Sequence, residues 1–176
     1  NTENINSIEI INMKENRGHA RCIASGLKYI FDKKEFDYVI PMDGDGEDRP
    51  EEIRNFIKLA EQSNDQSIIG ERVKRSEGLI FKICYQFHKF LTLAFTGQSI
   101  KFGNFTCLSK STIEKMLKEK STWNSFSGSL KKIEKNLLSI PSIRGTRYFG
   151  PSKMSFFNLL KHSLSIISVF RKTVLI

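Results

Sequence analysis

The chain is 176 residues long, carries 28 Lys and Arg against 19 Asp and Glu for a net charge of +9, and is 39% hydrophobic with four Pro and eleven Gly. A chain of this size buries roughly two thirds of its unfolded surface, so one globular domain is expected and wholesale disorder is excluded. The positive excess suits phosphate-bearing partners such as nucleotides, nucleic acids or anionic lipid headgroups, without choosing among them.

At the N-terminus, "NTENINS" has neither the basic start nor the apolar core of a signal peptide. "SIEIINM" (7–13) has the isoleucine enrichment of a short strand, and "KENRGHA" supplies a Gly turn. In "HARCIASGLKYIFDKK" the apolar residues Ile23, Leu27, Ile30 and Phe31 recur at three and four, which predicts a helix with one buried face. "FDYVIPM" (36–42) reads as a second, mostly buried strand. Pro50, Glu51 and Glu52 suit a first helical turn, because proline lacks a donor that would be unpaired there and carboxylates favour the positive end of the dipole. A helix is therefore expected over 50–62. "QSIIGER" supplies a third strand (66–70), and the alternation of strands with helices predicts an α/β sheet, parallel for at least these strands.

Over 78–96 a stripe of Ile80, Ile83, Cys84, Phe87, Leu91, Ala94 and Phe95 predicts an amphipathic, aromatic helix. "IKFGNFTCLS" (100–109) reads as a strand, helices follow near 110–119 and 123–136, and "SIPSIRGTRYF" reads as a further strand. The last segment, 153–176, is a helix apolar on most sides and edged by Lys153, Lys161, Arg171 and Lys172. It divides the chain into a main domain, 1–152, and a membrane-proximal amphipathic helix, 153–176. The stripes of 78–96 and 153–176 fit core helices, and they also fit helices lying among lipid headgroups. No run of about eighteen apolar residues occurs. Cys22, Cys84 and Cys107 are far apart with no CxxC pair, for which a reducing environment is the simplest setting.

The chemistry concentrates in "YVIPMDGDGEDRPEEI" (38–53). Asp43 and Asp45 follow the strand at alternate positions, and Glu47 comes two residues later in a turn loosened by Gly44 and Gly46. Hard cations such as Mg²⁺ or Mn²⁺ take carboxylate oxygens and keep positions for substrate phosphates. An Asp-x-Asp at the carboxyl end of a strand can thus bridge a metal to a diphosphate, at the edge where open α/β sheets bind ligands. The same spacing fits an acidic surface turn that only caps the next helix. An EF-hand fails, because loop position six is Asp48 and position twelve is Arg54. "DGDG" resembles a haloacid dehalogenase-type phosphatase, which would want Thr or Val in place of Glu47, and this remains the weaker enzyme alternative.

With its surroundings, the stretch resembles the family-two inverting glycosyltransferases of the GT-A fold, particularly the branch of dolichyl-phosphate mannosyltransferase and bacterial undecaprenyl-phosphate sugar transferases. "NRGHARCIASGL" is similar to the lead into the helix before the metal strand, and "DYVIPMDGDGEDRPEEI" to the strand, Asp-x-Asp and Pro-Glu helix. "IIGERVKR", "FGNFTCLS" and "RGTRYFGPSKMSFFNLLKHSLS" are similar to the Gly-x-Arg strand, the acceptor-side strand and the basic segment entering the C-terminal helices. The resemblance implies a partial GT-A fold, a mostly parallel sheet flanked by helices, with amphipathic C-terminal helices.

It also implies roles. Asp43, Asp45 and, less securely, Glu47, where many relatives have Gln, would hold Mg²⁺ or Mn²⁺ and the sugar-nucleotide diphosphate. Arg72, Arg147 and Lys153 would bring positive charge to donor or acceptor phosphates, although each also fits an ordinary surface cation; Asp45, Arg72 and Arg147 form the implied catalytic set. The implied partners are a nucleotide-sugar donor, a polyprenyl phosphate acceptor and a membrane surface, reached from the cytoplasmic face. No nucleic acid is expected, since no zinc knuckle, aromatic platform or recognition helix accompanies the charge. His19 fits either an approach to the nucleotide or a helix-start histidine without a ligand, and His88 and His162 fit polar positions in amphipathic helices. The Pro-x-x-Asn-Glu strand and the later Asp-rich strand of the family are not found, so the chain is expected to be an incomplete transferase domain. A non-catalytic membrane-binding module is the alternative from another class.

Overall fold

The computed structural model describes residues 5–74, 86, 93, 100–150 and 156–170. Four strands, β1 (Tyr38–Val39), β2 (Ile68–Lys74), β3 (Phe102–Ser109) and β4 (Leu138–Ile143), form one sheet in the order β1-β3-β2-β4. β3 runs antiparallel to both β1 and β2, whereas β4 runs parallel to β2. Three of the four strands share one direction, but only the β2–β4 ladder is parallel and the other two are antiparallel, so the sheet is mixed rather than mostly parallel. The expected neighbours differ, because β3 inserts in reverse between β1 and β2.

The strand expected at 7–13 is not a strand. Ile8 and Ile10 are 80% and 85% exposed, and no described strand pairs with the segment. β-branched residues favour a pleated surface only when a neighbour supplies the ladder and the packing. The segment is held instead by Glu9, which accepts a hydrogen bond from the Tyr29 hydroxyl at 2.9 Å and pairs with Lys34.

Helices cover both faces of the sheet. α1 (His19–Lys33) comes first, and α2 (Ile53–Ala60) follows a 3₁₀ turn at Pro50–Glu52. α3 (Lys110–Lys118), a 3₁₀ turn at Lys120–Trp123, and α4 (Phe126–Ile133) precede β4, and α5 (Phe156–Val169) follows it. Local chemistry explains two of the starts. Ser109 accepts from the Thr112 N–H at 3.3 Å to cap α3, and Ser125 accepts from the Gly128 N–H at 3.3 Å to cap α4.

β3 ties the two cores together through its period of two. Phe102 and Leu108 join a cluster with Leu27, Ile113, Met116 and Leu130, from α1, α3 and α4. Phe105 and Cys107 face the other way, into a cluster with Phe56, Ala60 and Ile68 under α2. The Phe56 and Phe105 rings meet edge to face, with centroids 4.8 Å apart. Burial pushes the Cys107 thiol up to about 11, so it behaves as a small core side chain.

One side of α5 belongs to the first core, where Ile166, Val169 and Phe170 are buried, while Leu160 and Leu164 stand exposed. No helix among the described residues is long and apolar enough to cross a membrane. The helix expected over 78–96 lies outside the described residues apart from Gln86 and Leu93, which are helical and exposed.

α5 approaches α4 at Gly128, where an added Cβ would meet Val169 Cγ2 at 3.2 Å and Ser125 Oγ at 2.9 Å. Gly128→Val is therefore expected to cost about 1–3 kcal/mol by overpacking, read as a lower midpoint in urea unfolding. An unchanged midpoint would contradict the α4–α5 contact.

Candidate functional site

β1 delivers the chain to a loop that folds on its own carboxylates. The Asp43 N–H donates to Asp48 Oδ2 at 2.9 Å, and the Glu47 N–H donates to Asp45 Oδ1 at 3.0 Å. Gly46 takes φ +90°, a left-handed conformation that a side chain adopts only with strain. Asp48 is buried at 5% exposure. Desolvation pushes its pKa up, against the opposing bond from the Asp43 backbone.

The segment after β4 closes over this loop. The Gly145 N–H donates to Glu47 O and the Tyr148 N–H to Asp45 O, both at 2.8 Å. Gly145 permits the approach, because an added Cβ would stand 2.5 Å from Gly46 O, and one on Gly46 would meet the Tyr148 ring at 2.7 Å. The same segment brings two guanidiniums. Arg147 Nη1 lies 2.9 Å from Asp45 Oδ2 and Nη2 lies 3.2 Å from Glu47 Oε2, and Arg144 pairs with Glu47 as well. Burial lowers the pKa of Arg144, while the charges of Asp43 and Asp45 oppose that loss.

Asp43 is held from the opposite side. His19 Nε2, at the start of α1, is 3.3 Å from Asp43 Oδ1, and Asn104 Nδ2 on β3 lies 3.5 Å from the same oxygen and 3.4 Å from the His19 ring nitrogens. The bond to His19 is the main cause that holds the Asp43 carboxyl below its ordinary range, and the same bond raises the pKa of His19. Arg72 crosses β3 at Gly103, where a Cβ would come within 2.8 Å of its Nη2. Its charge lowers the pKa of Asp43 and offsets the rise at Asp48.

Asp43, Asp45, Glu47, Arg72 and Arg147 thus come together, and Lys153 lies outside the described residues. The three carboxylates do not converge. Among the described residues no group of three or more His, Cys, Asp and Glu side chains is placed to hold one ion. Glu47 is engaged by Arg144 and Arg147, Asp45 shares Arg147 through Oδ2, and Asp43 faces His19 through Oδ1, so each of the three already has a basic partner. Sequence reasoning missed Arg144 and Asn104 as site residues. Arg144 stands three positions before Arg147, but which side chain would turn toward the loop depends on where β4 ends. Asn104 lies inside "FGNF" with only the strand's alternation to mark its face.

Acidic side chains after β1, met by Arg72 of β2 and by Arg144 and Arg147 from the segment after β4, form a charged site at the sheet edge of an α/β domain, where open sheets bind ligands. The family described as Glycosyl transferase family 2 matches residues 2–109, well over half of the chain. The chain belongs to that family, and its mixed sheet is consistent with a partial GT-A fold. An undecaprenyl-phosphate 4-deoxy-4-formamido-L-arabinose transferase of Photorhabdus laumondii is 29% identical over 167 residues, covering 88% of this chain and 47% of that protein. An uncharacterized protein of Methanocaldococcus jannaschii is 29% identical over 66 residues, covering 38% of this chain and 29% of that protein. The chain thus spans less than half the length of either relative. Membership in this family sets aside the phosphatase alternative.

The His19–Asp43 pair gives a pH signature of defined sign. The raised pKa of His19 contributes stability that is complete below the ordinary histidine value of 6.5 and is lost as pH rises through the folded value. The lowered pKa of Asp43 contributes stability that is complete above 3.8 and is lost as pH falls through the folded value. Unfolding of His19→Gln in the absence of metal is therefore expected to differ most from the parent between those two limits and least at alkaline pH. A difference that grows above neutrality would contradict the pairing.

Proposed function

We propose that the chain carries the metal-bearing part of a glycosyltransferase that moves a sugar from a nucleotide-sugar donor to a membrane-associated polyprenyl phosphate. The observation that carries this reading is the pair Asp43 and Asp45 at the end of β1, set among Arg72, Arg144 and Arg147 and lying inside the family match. The name of the Photorhabdus relative supports a polyprenyl phosphate as acceptor.

Mg²⁺ keeps several open positions and is commonly bound by one or two carboxylates together with substrate phosphates, which suits Asp43 and Asp45 without a third protein ligand. When bound, Mg²⁺ or Mn²⁺ supplies charge neutralisation to a leaving diphosphate. Arg72 and Arg147 add fixed, fork-shaped donors for phosphate oxygens, and Lys153 adds a mobile point charge. Glu47 holds Arg144 and Arg147 in place. An acceptor phosphate oxygen is already an anion, so the transfer needs positioning and neutralisation more than a general base. His19 is then free to orient Asp43. The exposed Leu160 and Leu164 on α5, beside Lys161, suit a helix side that meets a membrane surface, reached from the cytoplasmic face.

Sugar transfer to a short prenyl phosphate, followed with a panel of nucleotide sugars and Mg²⁺ or Mn²⁺, checks the reading. Asp45→Asn is expected to lower the rate on the order of a hundredfold or more, because several kcal/mol of charge stabilisation depends on the ion. Chelation is expected to abolish transfer. A rate that survives both treatments undiminished overturns the metal assignment.

A further inference from the structure

Pro50, Glu51 and Glu52 form the turn into α2, and the structure separates the two carboxylates. Glu51 is exposed, whereas Glu52 is buried at 8% exposure. Glu52 Oε1 accepts a hydrogen bond from the Ile143 N–H at 3.0 Å, across 91 positions of sequence. Its Oε2 is buried without a hydrogen-bond partner among the described residues. A buried carboxylate oxygen left unpaired is costly. The start of α2 favours negative charge, but an exposed carboxylate such as Glu51 serves that end without the burial, so helix initiation does not account for Glu52.

The place of Ile143 does. It is the last residue of β4, and it faces Lys74 across the parallel ladder, past an irregularity between Arg72 and Lys74. Beyond Ile143 the chain leaves β2 and turns onto the carboxylate loop. Three N–H groups fasten that turn: Ile143 to the Glu52 carboxylate, Gly145 to Glu47 O and Tyr148 to Asp45 O. Only the first of the three acceptors is a side chain. Arg144 and Arg147 lie within the fastened stretch and reach Glu47 and Asp45 from it. Successive side chains of an extended chain point to opposite sides, so the residue at which β4 ends decides whether Arg144 meets the loop. We propose that Glu52 is a positioning residue: it fixes the point at which β4 releases the chain and, through Ile143, sets Arg144 and Arg147 on the carboxylate loop. That these arginines serve sugar transfer rests on the proposed function; that Glu52 places them does not.

Amide hydrogen exchange of the metal-free full chain tests the placement without turnover. Glu52→Met keeps an unbranched side chain suited to burial and removes the acceptor. Exchange at Gly145 and Tyr148 is then expected to rise roughly tenfold, the scale of one lost hydrogen bond and an unpaired N–H. Glu52→Asp, which keeps the charge but draws the carboxylate back from Ile143, is expected to do the same, so a fold lost in one substitution leaves the other to decide. Glu52→Gln, which keeps an acceptor of the same length, is expected to stay near the parent, and exchange in the β2–β3 ladder is expected to be unchanged throughout. An equal rise in that ladder, or a Glu52→Gln variant as impaired as Glu52→Met, overturns the proposal. Sugar transfer supplies a second measurement. Glu52→Met is expected to lower kcat/KM roughly tenfold in the parent, yet by no more than about twofold where Arg144→Gln and Arg147→Gln are already present, since residues acting as one unit are non-additive. Equal losses in the two backgrounds mark a general loosening and overturn the proposal. Absence of transfer in the parent, with the exchange pattern as expected, supports the placement and counts against the transferase reading alone.

Discussion

The loop from Asp43 to Asp48 holds Asp43, Asp45, Glu47 and Asp48 within six positions. The charges of Asp43 and Asp45 both act to raise the pKa of Asp48, so the loop gains from positive charge brought by other parts of the chain. That charge comes from three directions: Arg72 from β2, His19 from the start of α1, and Arg144 with Arg147 from the segment after β4. Two backbone hydrogen bonds, from Gly145 and Tyr148, fasten the last of these. The loop is local in sequence, yet its stability is a property of the whole sheet.

β3 connects that requirement to the packing. As the reversed strand between β1 and β2 it fills both cores, with Phe102 and Leu108 toward α1 and Phe105 and Cys107 toward α2. Asn104 shares the parity of Phe102 and Leu108, which carries it to the α1 side, where His19 and Asp43 meet it. Gly103, one residue before, leaves room for Arg72 to cross the strand. Any slip in the register between β3 and β2 would therefore disturb the hydrophobic faces and the site together.

What could be read from the sequence was what depends on near neighbours. The Asp-x-Asp loop, the Pro50 helix start and the helices around 19–34 and 110–119 follow from spacing, dipole and turn chemistry, and they stand where those rules put them. Pairing was not legible in the same way. Ile8, Ile10 and Ile11 have strand character, yet nothing local says whether a ladder partner exists, and none of the described strands takes that place. The reversal of β3 is a choice between sheet neighbours, invisible to periodicity. The pairing of the carboxylates was hidden for a related reason: Glu47 and Asp45 share Arg147, and Glu47 also takes Arg144, both about a hundred residues further along the chain. A cleft between α1 and α5, with walls running from Arg17 to Lys161, likewise exists only after folding.

His19 stands at the boundary between two opposite fields. On one side lie the carboxylates of the loop, nearly balanced by arginines already committed to them; on the other lie Arg21 and Lys161, in a cleft that no carboxylate among the described residues lines. A chain that is positive throughout would draw phosphates to many places and orient none of them. Here the excess charge is partitioned: an anion approaching the loop meets acidic oxygens and needs a cation between, while an anion entering the cleft meets the cations directly. Two phosphates brought to such neighbouring fields are held in different ways, which distinguishes their positions without a base-specific or sugar-specific contact. Asn104, shared by loop and cleft, keeps the two positions adjacent.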